Sequence, residues 1–207
     1  MAKFKFYSIK LGVIILAVFA MQVFLKGFTE LFWLDQNSYL QPWRFLTAVF
    51  LHGGVTHLIY NLFALVLFGS MLELLIDGRK FLIIFIVTGV LANLVAVNFY
   101  GSSLGASGAI FGVIGALIMI RPWLIVWAFG LPMPVIIAGI LWAAGDIIGI
   151  FNPSAVGNIA HLSGMFFGLI IGAMYRPKYI KVRHEKHKID EHTARRWEDS
   201  YFNLKKL

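Results

Sequence analysis

The chain has 207 residues, of which 59% are hydrophobic, 15% aromatic and 14% charged, with a mean hydropathy of +0.80; soluble domains sit near about 45–50% apolar and about 25% charged. A soluble globule is therefore not expected, and the absence of cysteine excludes disulfides, thiolate nucleophiles and thiolate metal sites. The net charge of +8 is held at the two ends. Lys3, Lys5 and Lys10 open the chain, and the tail from Arg176 carries ten Lys/Arg against five Asp/Glu. The apolar body between them is neutral, the pattern of basic flanks that stay on the cytoplasmic side of a membrane rather than of a surface that binds nucleic acid.

In chain order, the first apolar stretch, Ile9 to Leu25, outruns the core of a signal peptide and is followed by no clean small-residue cleavage site, so it reads as a transmembrane helix. Five more apolar segments follow, giving spans at 9–27, 54–76, 80–99, 106–121, 134–151 and 157–175. At about 20 residues per crossing, six spans fit this length. The expected architecture is an all-α membrane protein with a cytoplasmic start (1–8), a six-helix membrane domain (9–175) and a basic cytoplasmic tail (176–207). Arg79, Lys80 and Arg121 fall on connections this topology places inside, whereas 100–105 and 152–156, placed outside, carry no charge. The long first connection, 28–53, is rich in aromatic residues and is expected to lie partly embedded in the interface. Residues 122–134, apolar and broken by Pro122, Pro132 and Pro134, read as an interfacial segment. The tail could form a short surface helix or stay disordered. Its His184, His187 and His192 are too irregularly spaced to suggest a metal site.

Polar residues inside spans are costly enough to be functional candidates. His57 and Asn61 stand four apart on one face of the second helix. Ser107 opens the fourth helix and His161 lies about one turn into the sixth. All three helices run from outside to inside in this topology, so the four residues fall in one layer, roughly 3–8 Å from the outer helix ends. That layer holds the parts of nucleophilic acyl transfer: Ser107 as nucleophile, His161 as a neutral imidazole that takes its proton, and His57, Asn61 and the Ser107 backbone N–H as donors to an oxyanion. Asp146 in the fifth helix is a weak candidate to orient the base, expected to sit too far from the outer end, which favours a Ser–His dyad over a triad. Gly108, Gly112 and Gly115 on the fourth helix and Gly164, Gly168 and Gly172 on the sixth form two stripes that would let these helices pack closely. Asn93 and Asn98 read as interhelical hydrogen bonders, and Trp142 in the fifth helix as bulk that faces lipid.

These residues resemble a known family, the rhomboid intramembrane serine proteases. The match lies in Gly105-Ala106-Ser107-Gly108-Ala109-Ile110-Phe111-Gly112, in His52-x4-His57-x3-Asn61, in Ala160-His161-Leu162-Ser163-Gly164 and in Trp43-Arg44, over about residues 42–175. The resemblance implies a six-helix rhomboid-like bundle and a serine-type endopeptidase that needs no cofactor and cleaves transmembrane protein substrates in the bilayer. It implies Ser107 as nucleophile, His161 as base, and His57 and Asn61 in the oxyanion site. It further implies that His52, Trp43 and Arg44 support the first loop, that Glu73 is a structural carboxylate, and, as an alternative to plain lipid-facing bulk, that Trp142 stands near a substrate entry route between the second and fifth helices. Phe111 stands where some bacterial members carry a tyrosine stacked on the catalytic histidine. A multi-pass protein of a prokaryotic plasma membrane is expected, both termini cytoplasmic and the active site facing out. Two rival readings stay open: a catalytically inactive rhomboid-like protein that binds membrane clients, and a small transporter, suggested by Asp146, Asn93 and Asn98.

Overall fold

The computed structural model describes residues 5–152, 156–187 and 196 and is mostly helical. Helix α1 (Tyr7–Phe24) leads into a folded connection containing α2 (Phe28–Phe32), the two-residue strand β1 (Leu34–Asp35) and α3 (Arg44–Thr47). Helix α4 (Val55–Ala64) continues through a π-helical turn at Leu65–Gly69 into α5 (Ser70–Ile76). Helix α6 (Gly78–Ala96), strand β2 (Ser102–Ser103), α7 (Ser107–Ile120), strands β3 (Ile125–Ala128) and β4 (Leu131–Pro134), α8 (Val135–Ile150) and α9 (Asn158–His187) complete the order.

Four segments are long and apolar enough to cross a membrane: Tyr7–Phe24, Val55–Ile76, Gly78–Ala96 and Asn158–Arg176. Two more apolar helices, Ser107–Ile120 and Val135–Ile150, are shorter. At 14 residues, α7 is about 21 Å long, less than the roughly 30 Å of a hydrocarbon core. Its buried positions, Gly108 to Ile110 and Gly112 to Leu117 among them, lie all around its circumference. It is therefore enclosed by other helices rather than exposed on one face.

The contact between α7 and α9 is made by backbone. A Cβ on Gly164 would strike the carbonyl of Gly108, one on Gly168 the carbonyl of Gly112, and one on Gly115 the carbonyl of Met165. On its other side α7 meets α6 almost as closely, with Gly108 against Ala92 and Gly112 against Thr88. The two glycine stripes seen in the sequence thus face each other, and small residues give the helices the close packing that association in lipid relies on.

The connection after α1 is held by buried polar groups. Arg44 donates to Asp35 at 2.9 Å and to Gln41 at 2.6 Å, and the Asp35 carboxylate also receives the Trp33 indole N–H and the backbone N–H of Asn37. Asn93 of α6 donates to the Phe45 carbonyl. Strand β1 pairs with β2 in the register Leu34↔Ser103 and Asp35↔Ser102, and the Gly105 N–H donates to the Ala48 carbonyl. Arg44 is thus the fastener of this segment, while its neighbour Trp43 is 51% exposed.

Within the segment expected to be interfacial, residues 125–134 are strands rather than helix. They form an antiparallel hairpin in which Ala128 pairs with Leu131 across a two-residue turn, Phe129-Gly130, both with positive φ (54° and 79°). Such a turn matches the twist of a hairpin, and Pro132 and Pro134 are tolerated because β4 is an edge. The tip folds back on α8, placing the Phe129 ring 5.4 Å from that of Trp142.

The start of α1 is capped from a distance. Glu73 of α5, fully buried, accepts from the backbone N–H groups of Lys5, Tyr7 and Ser8 at 2.9–3.2 Å and from the Ser8 hydroxyl. A carboxylate satisfies donors that a helix leaves open at its N-terminus and complements its dipole. Replacing Glu73 by Gln keeps the shape and removes the charge, and the expected loss is about 1–3 kcal/mol, read as a lower thermal unfolding midpoint in detergent. An unchanged midpoint would show that the cap carries no stability.

Candidate active site

The four residues predicted for the chemistry, His57, Asn61, Ser107 and His161, come from three helices and line one cavity of about 1040 Å³. Helix α4 supplies His57 and Asn61, the N-terminus of α7 supplies Ser107, and the first turn of α9 supplies His161. Gly105 sets the spacing between His57 and Ser107. It has φ +133°, and a Cβ there would lie 2.8 Å from His57 Cε1, 3.0 Å from His57 Nε2 and 3.8 Å from Ser107 Oγ. Only glycine suits both that backbone and that space.

The His57 ring is oriented by its own loop: the Gly53 N–H donates to Nδ1 at 3.4 Å. In a neutral imidazole the other nitrogen, Nε2, then carries the proton, on the edge nearest Gly105 and Ser107. Asn61 donates to the His57 carbonyl at 2.8 Å, and its Oδ1 is buried with no hydrogen-bond partner among the described residues. The free N–H groups that open a helix, here those at Ser107, are further donors suited to a developing negative charge.

His161 is held on two sides. Phe111 stacks on it with ring centroids 4.3 Å apart and planes 10° from parallel, so a phenyl ring serves as the stacking partner. Its Nδ1 lies 3.1 Å from Asp146 Oδ1. This corrects the expectation that Asp146 sits too far away. Asp146 is four residues from the end of α8 and His161 three residues into α9, so both stand about 5–6 Å from their helix ends at the same end of the bundle. Ser107 and His161 line the cavity together without a hydrogen bond between them, a contact that in unliganded enzymes often tightens only on binding.

Gln22 and Tyr100 are supporting groups that the sequence did not single out. Gln22 of α1 holds His52 through both backbone groups, accepting from its N–H at 2.9 Å and donating to its carbonyl at 3.1 Å. The His52 ring packs 5.1 Å from that of His57, and neither of its nitrogens has a partner among the described residues. Tyr100 accepts the Ile159 N–H at the start of α9. Trp142 touches Phe68 and Phe111 and is half-buried. Ser102, Ser103, Val156 and Gly157, from the connections that lead into α7 and α9, also line the cavity; residues 153–155, His192 and the side chains of His184 and His187 lie outside the described residues.

The family model described as the rhomboid domain matches residues 39–178. RHOMBOID-like protein 7 of Arabidopsis thaliana is 34% identical over 134 residues, covering 64% of this chain and 42% of the relative. RHOMBOID-like protein 1 of the same plant is 33% identical over 148 residues, 67% of this chain and 36% of the relative. The rhomboid protease GlpG of Yersinia pseudotuberculosis is 26% identical over 172 residues, 79% of this chain and 60% of the relative. The chain spans less than two thirds of the length of each of these relatives.

The environment of His52, which lies in the loop before α4, has a consequence for pH. Burial, reinforced by the nearby His57, lowers its pKa from 6.5 to about 4. Between those values the folded protein binds fewer protons than the unfolded chain, so stability falls as pH drops through that window, by up to about 3 kcal/mol at its lower end. The unfolding midpoint of the parent should therefore fall more steeply from pH 7 to pH 4 than that of His52→Phe, which keeps the backbone bonds to Gln22. Parallel curves for the two proteins would contradict this.

Proposed function

The chain belongs to the rhomboid family, and on that premise we propose that it is an active intramembrane serine endopeptidase with Ser107 as nucleophile and His161 as general base. The observation that supports this best is the meeting of Ser107, His57 and His161, from three separate helices, on one cavity, with Gly105 leaving space between His57 and Ser107 for a reacting group. Ser107 Oγ attacks a carbonyl of the substrate while its proton passes to His161. The tetrahedral oxyanion is met by the His57 Nε2–H, the Asn61 amide and the N–H groups opening α7. His161 returns the proton to the departing amine, and a water molecule then hydrolyses the acyl-enzyme.

Substrates are transmembrane proteins. A helical carbonyl is shielded and already hydrogen-bonded, so the substrate segment unwinds at small or helix-breaking residues before attack. In lipid the freed backbone must find partners inside the protein. The outer connections that line the cavity would supply them as a strand-like edge. One edge of β2 is occupied by β1, so the other is the edge on which a substrate would dock.

All six apolar helices cross the bilayer in this reading, with the short α7 enclosed by its neighbours, α8 turning an apolar face outward and both termini cytoplasmic. The cavity then opens toward the outer face, and water reaches it from there. The membrane domain covers 9–175 and the basic tail begins at 176, although the α9 backbone runs on without a break to His187.

The experiment is cleavage of a fluorogenic transmembrane peptide by detergent-purified protein. The parent should cleave it, and Ser107→Ala and His161→Ala should each lose at least roughly 10³-fold in kcat with unfolding midpoints like the parent's. No cleavage by the parent across several such peptides, in detergent and in liposomes, would contradict the reading and favour a client-binding protein without activity.

A further inference from the structure

The proton transfers above make no use of Asp146, the single acidic residue between Asp77 and Glu185. It lies in the apolar helix α8, its side chain only 9% exposed. A carboxylate in such surroundings is retained only when paired. Its one hydrogen-bonding contact is Nδ1 of His161 at 3.1 Å, and its second oxygen, Oδ2, is buried without a partner among the described residues. The lone acid of more than a hundred residues is thus aimed at the proposed base.

We propose that Asp146 is a positioning residue for His161, making the site a Ser–His–Asp arrangement rather than a dyad. The inference rests on the reading of Ser107 and His161 as nucleophile and base. A neutral imidazole has two tautomers, and only the one protonated at Nδ1 leaves Nε2 with a lone pair that can accept the Ser107 proton. An ionised carboxylate accepts hydrogen bonds and donates none, so its contact with Nδ1 selects that tautomer. It also completes the mechanical constraint. Phe111, lying parallel to the ring at 4.3 Å, limits its tilt, and the Asp146 contact fixes its rotation within that plane.

The charge is used at the moment of attack. As the Ser107 Oγ–carbon bond forms, the hydroxyl proton moves to Nε2 and the ring becomes an imidazolium, with Nδ1–H still donated to the Asp146 carboxylate. When the carbon–nitrogen bond breaks, the Nε2 proton leaves with the amine and the ring returns to the same neutral tautomer. In deacylation water gives a proton to Nε2 and its oxygen to the acyl carbon, and the proton then returns to Ser107 Oγ. Asp146 itself stays ionised throughout, as the carboxylate of a serine-protease triad does.

The test combines a tautomer measurement with a mutant cycle. In the protein labelled with ¹⁵N-histidine in detergent, the His161 resonances, identified by their loss in His161→Ala, should show a neutral ring protonated at Nδ1. A ring protonated at Nε2 would overturn the proposal whether or not the protein cleaves anything. On the fluorogenic transmembrane peptide, Asp146→Asn should lower kcat by roughly 10²–10⁴-fold with KM changed less than about twofold, and Asp146→Glu should recover part of the loss. Introduced into His161→Ala, Asp146→Asn should cost nothing further, because its effect is carried by the ring. A kcat unchanged in Asp146→Asn, or an equal loss with and without His161, would reduce Asp146 to a link between α8 and α9. Cleavage that survives Ser107→Ala marks failure of the underlying reading; cleavage abolished by Ser107→Ala but retained in Asp146→Asn marks failure of this inference alone.

Discussion

The seam between α7 and α9 is the constraint on which the site depends. In lipid, apolar side chains gain little by leaving one apolar medium for another, so two helices stay together through the closeness of their backbones. Here Gly164 and Gly168 rest on the carbonyls of Gly108 and Gly112, an approach that any side chain would block. Ser107 is next to Gly108, and His161 is one turn before Gly164. The same glycines that bind the helices therefore set the separation between hydroxyl and imidazole.

Around that seam the few polar groups each close one gap. Glu73 satisfies the opening N–H groups of α1, and Arg44 and Asn93 tie the first connection to itself and to α6. The pairing of Gly105 with Ala48 brings that connection against the turn into α7. Gln22 holds the backbone of His52, whose ring in turn packs on His57. The result is a cavity whose reactive side chains stand on three helices and are fixed by the elements packed around them, which is how a site keeps its geometry without the ligand.

The apolar runs made the helices readable, and the four-residue glycine spacing made the seam readable, because both are periodic signals. Ser107, His57, Asn61 and His161 stood out because polar groups are scarce in such a chain and their depths agreed. Asp146 was misplaced although the same depth rule applied to it: four residues from the end of α8 is about 6 Å, level with His161. The hairpin at 125–134 had no usual turn signal, since Phe129 occupies a left-handed conformation that glycine or asparagine ordinarily takes. The partners of Arg44 and His52 were hidden for another reason. Pairs such as Asp35 with Arg44, or Gln22 with His52, follow no helical or strand period, and only the folded connection brings them together. The crossing count also resisted the sequence, because apolar content alone does not say that α7 is about 21 Å long and enclosed.

The central claim is that Ser107 is activated as a nucleophile. The most direct measurement is reaction of the detergent-purified protein with a fluorophosphonate, followed by mass spectrometry of its peptides. The account predicts one phosphonyl group on Ser107, absent after prior unfolding and absent in His161→Ala. Labelling of any other residue in its place, or none on Ser107 in folded protein, would contradict it.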